Sequence, residues 1–117
     1  MNKDNFIIEV EKIGIKITEK KLQQLEKYYE MLIEYNKVMN LTGITEKEEV
    51  YLKHFYDSLT IAKIIDLTKE ATLCDIGTGA GFPGIVLKIF YPNLKITLVD
   101  SLNKRINFLN EVIKELK

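Results

Sequence analysis

The chain has 117 residues, enough for one ordinary domain, and 46% of them are hydrophobic against 29% charged, a balance that excludes a disordered chain. Its 17 basic side chains match its 17 acidic ones, so the formal net charge is +0, which argues against a purely electrostatic binder of nucleic acid or of an anionic membrane. One cysteine excludes a disulfide framework, no cluster has metal-ligand spacing, and no run approaches the roughly 18 apolar residues of a membrane span; a metal-free protein of the cytoplasm, with no membrane contact, is expected.

Residues 2–13 place Phe6, Ile7, Val10 and Ile13 at helical spacing with Gly14 behind them, which predicts a short amphipathic helix with a glycine stop. Thr18 caps a second helix that should run to about Asn40, with Leu22, Leu25, Tyr29, Leu32 and Tyr35 on one face. At that spacing the tyrosines read as core rather than as groups that stack on RNA bases. NLTGIT, residues 40–45, interrupts the pattern, and Thr45 with Glu48 forms a capping box expected to restart a helix through Val50, Leu52 and Phe55. KHFYDSL follows at 53–59, and the apolar positions of residues 59–67 predict a further buried helical face.

A strand is expected at 72–76, where Leu73, Cys74 and Ile76 surround Asp75 and the thiol reads as buried and inert. Gly77, Gly79, Gly81 and Gly84 follow, and then the apolar run IVLKIF at helical spacing, which Tyr91-Pro92-Asn93 must end. Residues 96–99 read as a second buried strand closing on Asp100, and the tail from Asn103 as an amphipathic helix with Ile106, Leu109, Val112, Ile113 and Leu116 on one stripe. Two strands joined by a helix make a parallel, right-handed βαβ unit, so the fold class is α/β. Such a sheet has both edges open, and the pattern stops without another strand. The expectation is the N-terminal portion of a longer α/β protein, or a chain completed from outside.

The glycine turn is the candidate ligand site, because glycines admit positive φ and bring a ligand against bare backbone at a helix start. No Gly-Lys-Ser/Thr closes it, which excludes a Walker A loop. Gly79-Ala-Gly81-Phe-Pro-Gly84 does match the dinucleotide pattern, with Asp100 about twenty residues beyond Gly81. The register favours another reading. The strand ends in Asp75-Ile76-Gly77, so an acid precedes three alternate glycines, which suits a ligand with a cationic amino-acid end and a nucleoside end. Asp75 would help hold the amino group, directly or through water, and Asp100 would accept both ribose hydroxyls. S-adenosylmethionine has those parts and no pyrophosphate. The alternatives left open are an NAD(P)-dependent oxidoreductase and a non-catalytic interaction module that pairs through its sheet edge.

NLTGIT at 40–45, KHFYDSL at 53–59, DIGTGAGFPGI at 75–85 and VDSLNKRINFL at 99–109, taken together and in order, resemble the successive motifs of the bacterial glucose-inhibited division protein B family, also called RsmG. The resemblance implies an enzyme that uses S-adenosylmethionine to methylate N7 of a guanine in 16S ribosomal RNA of the small subunit; the oligomeric state is left open, with a monomer expected for the longer parent protein. It implies an N-terminal helical region over residues 1–70 and, over 71–117, the start of a class I, Rossmann-like methyltransferase domain. Carried over by position, Gly77 and Phe82 would contact the cofactor, Gly79 and Gly81 would shape the turn, Asp100 would hold the ribose, and Ser101 and Leu102 would border the adenosine.

Three further residues are candidates for substrate or RNA contact. His54 lies three residues before Asp57, on one helical face, and reads either as a general base or as a half-buried histidine paired to a carboxylate. The family motif favours an active-site or RNA contact. Lys104 and Arg105 would meet phosphate or form a solvated helix face. Guanine N7 carries a lone pair and no proton, so direct in-line transfer requires no general base, nucleophilic side chain or metal.

Overall fold

The structure is a computed structural model that describes residues 1–69 and 71–116; Glu70 and Lys117, the ends of the two expected regions, lie outside the described residues. Helix α1 (Lys3–Lys12) begins where the Asn2 side chain accepts the Asn5 N–H, and the chain leaves it through Gly14 at φ +93°. The Thr18 hydroxyl caps α2 (Glu19–Met39) at the Lys21 N–H, 3.2 Å away, and Asn40 ends it in the left-handed region. The buried face of α2 is turned from the one expected. Leu25 and Leu32 are inside, but Tyr28 and Met31 join them while Leu22, Tyr29 and Tyr35 lie at the margin. The cause is cover from two directions, by later helices on one side and by the Phe55 ring on the other.

The next helical stretch is made of four pieces: α3 (Lys47–Val50), a π-helical turn (Tyr51–Tyr56), α4 (Asp57–Leu59) and a 3-10 turn (Thr60–Lys63). Thr45 is not its cap. The Glu46 carboxylate, one residue nearer, takes the N–H groups of both Glu48 and Glu49, and Thr45 gives its carbonyl to the Tyr29 hydroxyl. The wide π turn carries Tyr51 and Phe55 inward together, with ring centroids 4.9 Å apart, and leaves Leu52 outside. Residues 59–67 depart from expectation: only Leu59 and Leu67 are buried, and Ile64 is 83% exposed. A 3-10 turn cannot sustain a face of 3.6-residue period, and Asp66 then stops the segment by accepting both the N–H and the hydroxyl of Thr68.

Strands β1 (Thr72–Ile76) and β2 (Lys95–Val99) pair in parallel, from Thr72 opposite Lys95 to Ile76 opposite Val99. Helix α5 (Gly84–Phe90) is the crossover and α6 (Asn103–Leu116) follows, so the βαβα order of a Rossmann-like α/β fold is present. Strand alternation gives the sheet two unlike faces. Leu73, Asp75, Ile96 and Leu98 turn toward the helices, whereas Cys74, Ile76, Thr97 and Val99 are exposed. Cys74 is therefore an exposed thiol, not the buried one expected, and neither strand is covered on both sides as parallel strands usually are. On α6, Phe108 joins Leu109 and Val112 inside because Tyr35 of α2 meets it at 5.1 Å, and Ile106 and Ile113 stay exposed. Helices and sheet share one core.

The open face is testable through its thiol. Cys74 in the folded chain is expected to react with an aromatic disulfide reagent within about tenfold of its rate in denaturant. Protection of about a hundredfold or more would show that the face is covered.

Candidate functional site

Beyond β1 the chain turns on Gly77, Gly79 and Gly81, at φ +71°, +60° and +103°, backbone that a residue with a Cβ adopts only at a cost. Beneath the turn Asp75, 9% exposed, directs Oδ2 at two donors, the Thr78 hydroxyl at 2.6 Å and the Gly84 N–H at 3.0 Å. One carboxylate oxygen thus ties the strand, the turn and the first residue of α5, and it sets negative charge where unpaired helix N–H groups favour it. Tyr28 of α2 reaches the turn from behind and donates its hydroxyl to the Ala80 carbonyl at 2.5 Å. Burial, followed by the Asp75 charge, pushes the Tyr28 pKa well above the phenolic range, so the hydroxyl is a protonated donor at neutral pH.

The glycines divide by what lies over them. A Cβ on Gly81 would stand 2.6 Å from Ile85 and 2.7 Å from the Tyr28 hydroxyl, and one on Gly84 would collide with Leu98 and crowd Asp75. Over Gly77 and Gly79 nothing lies within 4 Å. Packing requires the first pair, and the second pair presents bare backbone to open space.

Asp100 stands at the carboxyl end of β2, beside the turn because Val99 pairs with Ile76. Its Oδ2 accepts the Gly79 N–H at 2.9 Å, its Oδ1 accepts the Leu102 N–H at 3.0 Å, and Arg105 Nη1 lies 3.5 Å from Oδ1. The side chain is 2% exposed. The N–H groups of Leu102 and Gly79, and after them Arg105, hold its carboxyl below the usual range, so it is ionised at neutral pH. Oδ2 accepts one of these bonds and retains capacity for another donor. Ser101 and Leu102 are exposed on the loop that follows. Lys104 is exposed on the first turn of α6, whereas Arg105 is half-buried and drawn to Asp100.

On the other flank the Phe82 ring lies parallel to the His54 imidazole, with centroids 4.3 Å apart and planes at 7°. Tyr28 and Phe55 back Phe82 at 5.6 and 6.1 Å. The hydrogen-bond partner of His54 is Thr42 rather than the expected Asp57: Thr42 Oγ1 lies 2.9 Å from Nε2, in a bond whose direction depends on the ring tautomer. Asp57 acts on the imidazole through its charge alone, and burial outweighs that charge and lowers the His54 pKa, so the ring is neutral at pH 7. A groove of about 340 Å³ opens here, lined by Lys53, His54, Asp57, Phe82 and Pro83 among others. A larger one, about 410 Å³, lies between α2, α5 and α6 and touches the turn only at Gly84. Among the described residues no three His, Cys, Asp or Glu side chains could hold a metal, and no helix is long and apolar enough to cross a membrane.

Three residues of this site carry no signal at the sequence level. Tyr28 is one of several tyrosines on α2, Thr78 sits unmarked between glycines, and Thr42 is noticed only as a member of NLTGIT.

Two parallel strands joined by a crossover helix, with an open glycine turn at the end of the first and an acid at the end of the second, are the arrangement with which a Rossmann-like α/β fold is built. The family can be stated more closely. The chain belongs to the GidB family, described as rRNA small subunit methyltransferase G, whose model matches residues 21–117. It is 61% identical over 104 residues to the Ribosomal RNA small subunit methyltransferase G of Staphylococcus saprophyticus, an alignment covering 89% of this chain and 44% of that protein. Over 116 residues it is 57% identical to the protein of the same name from Bacillus pumilus and 53% identical to that from Exiguobacterium sibiricum, covering 99% of this chain and 48% and 49% of theirs. The chain spans about half the length of the curated relatives it matches.

Two alanine substitutions separate the roles of the glycines. Gly81→Ala is expected to lower stability by about 2 to 4 kcal/mol, combining left-handed strain with overpacking. Gly79→Ala, which meets open space, should cost about 1 to 2 kcal/mol from backbone strain alone. Urea unfolding measures both, and equal losses would contradict the packed position of Gly81.

Proposed function

We propose that the turn and Asp100 form the nucleoside end of an S-adenosylmethionine site, in a methyltransferase that acts on small-subunit 16S ribosomal RNA at N7 of a guanine. The observation that carries this reading is the juxtaposition of Asp100 with Gly79: an ionised, shielded carboxylate with an unused acceptor position stands over glycines that have open space before them. A ribose diol offers a hydroxyl donor for the acceptor position that Oδ2 retains beside the Gly79 N–H. Ser101 and Leu102, exposed on the loop after Asp100, would border the base, and Phe82 would wall the site on its other side. Asp75 supports the site from beneath, since its Oδ2 is committed to Thr78 and Gly84.

The same carboxylate weighs against a dinucleotide. A pyrophosphate would occupy the start of α5, the natural anion site of such a unit; here Asp75 already places negative charge on the Gly84 N–H. The names of the relatives support ribosomal RNA of the small subunit as partner, and the cytoplasm is the corresponding location.

The cofactor supplies a methyl group on a sulfonium centre. What the protein does is positional: Gly77 and Gly79 admit the ligand, Asp100 fixes the ribose, and the exposed Lys104 meets phosphate. His54, neutral at pH 7, takes no proton from an acceptor nitrogen that carries none.

Calorimetric titration tests the assignment. S-adenosylhomocysteine is expected to bind and NADH is not, and Asp100→Ala should weaken the former by about tenfold or more, the effect of removing a charged hydrogen-bond acceptor. Binding of NADH in place of S-adenosylhomocysteine would replace this reading with the oxidoreductase one.

A further inference from the structure

The function proposed above leaves unexplained why His54 and Thr42, from two separate segments, meet beside the turn. Thr42 is itself fixed. Its N–H donates to Asn36 Oδ1 at 2.9 Å, near the end of α2, and its hydroxyl oxygen accepts the Ile44 N–H at 3.1 Å. That leaves the hydroxyl one proton and one lone pair, so it can pair with Nε2 of either imidazole tautomer. In both cases the ring plane is held. The π-helical turn delivers His54 to this point, and the imidazole then lies flat on Phe82. Phe82 is pinned between that ring and the Tyr28 and Phe55 rings behind it. Lys53 and Asp57 face the same groove but make no hydrogen bond to the imidazole among the described residues.

We propose that Thr42 and His54 are positioning residues: the hydroxyl orients the imidazole, and the imidazole holds the Phe82 ring as the side wall of the glycine turn. A contact between loop and helix is thereby passed to the site without either residue touching the ligand. The ligand arm of the test rests on the cofactor reading above; the spectroscopic arm does not.

The test uses four variants of the chain: Thr42→Val, Thr42→Ser, His54→Leu and the double variant Thr42→Val/His54→Leu. First, the aromatic NMR signals of Phe82 are followed without ligand. Thr42→Val is expected to move them in the direction that His54→Leu does, and Thr42→Ser to return them to the native position. Phe82 signals unmoved by Thr42→Val overturn the proposal, whatever the chain binds. Second, S-adenosylhomocysteine affinity is measured. Thr42→Val should weaken it roughly three- to tenfold, the size of one lost hydrogen bond, Thr42→Ser should restore it, and the double variant should bind as His54→Leu does. Losses that add in the double variant show that Thr42 acts on its own loop and overturn the relay. Binding of NADH in place of S-adenosylhomocysteine sinks the cofactor reading, and the relay is then decided by the Phe82 signals. Because Thr42→Val and Thr42→Ser remove neither ring, the question stays answerable even if His54→Leu fails to fold.

Discussion

A carboxylate buried under a loop is stable only where donors meet it, since taking a charge out of water without partners costs several kcal/mol, of the order of a whole domain's stability margin. Asp75 obtains its donors from Thr78 and Gly84, three and nine residues further along the same chain. To satisfy one oxygen the loop must fold tightly over the strand end and bring the α5 start down upon it. Gly84 must then lack a side chain, because a Cβ there would run into Leu98 and Asp75. The direction of α5 follows, with it the crossover and the placing of β2, and so the approach of Asp100 to Gly79. A site assembled in this way is a by-product of electrostatic necessity at its base.

The N-terminal helices are part of that construction. They supply the Tyr28 hydroxyl that holds Ala80 and the Phe55 ring that backs Phe82. The turn therefore has a floor made by β1 and a rear wall made by α2 and the π-helical turn. Division of labour follows along the loop: Gly81 and Gly84 are bound to the floor and wall, and Gly77 and Gly79 are left to face outward.

Features with a local cause were legible in the sequence. Thr18 and Asn40 bound α2, Gly14 ends α1, Pro92 ends α5, and the two short strands fall where their apolar runs predict, because each depends on backbone chemistry within a few residues. What periodicity could not show was which face of an element would be covered. Tyr28 lies inside rather than Tyr29, and Cys74 lies outside, because the first is decided by helices that arrive later in the chain and the second by a sheet clothed on one face. The π turn carries no residue that announces it, yet it carries the His54 that lies over Phe82. For the candidate site, both carboxylates were legible as strand-end acids, while their actual partners, Thr78, Gly84 and Gly79, depend on loop geometry that no spacing rule supplies.

Tyr28 also sets a limit of another kind. Its phenol is held protonated far above the ordinary range, by burial first and by the neighbouring Asp75 charge second, and burial likewise raises Tyr51 and Tyr91. An unfolded chain releases those protons near pH 10, whereas the folded one retains them. The stability they confer is whole below that pH and is lost progressively as alkalinity rises toward the folded-state values. The chain has no tryptophan, so tyrosine ionisation is read without an indole background. The hydroxyl that secures the glycine turn thus also makes base a denaturant of the fold, since ionising Tyr28 and losing the native packing around it are coupled.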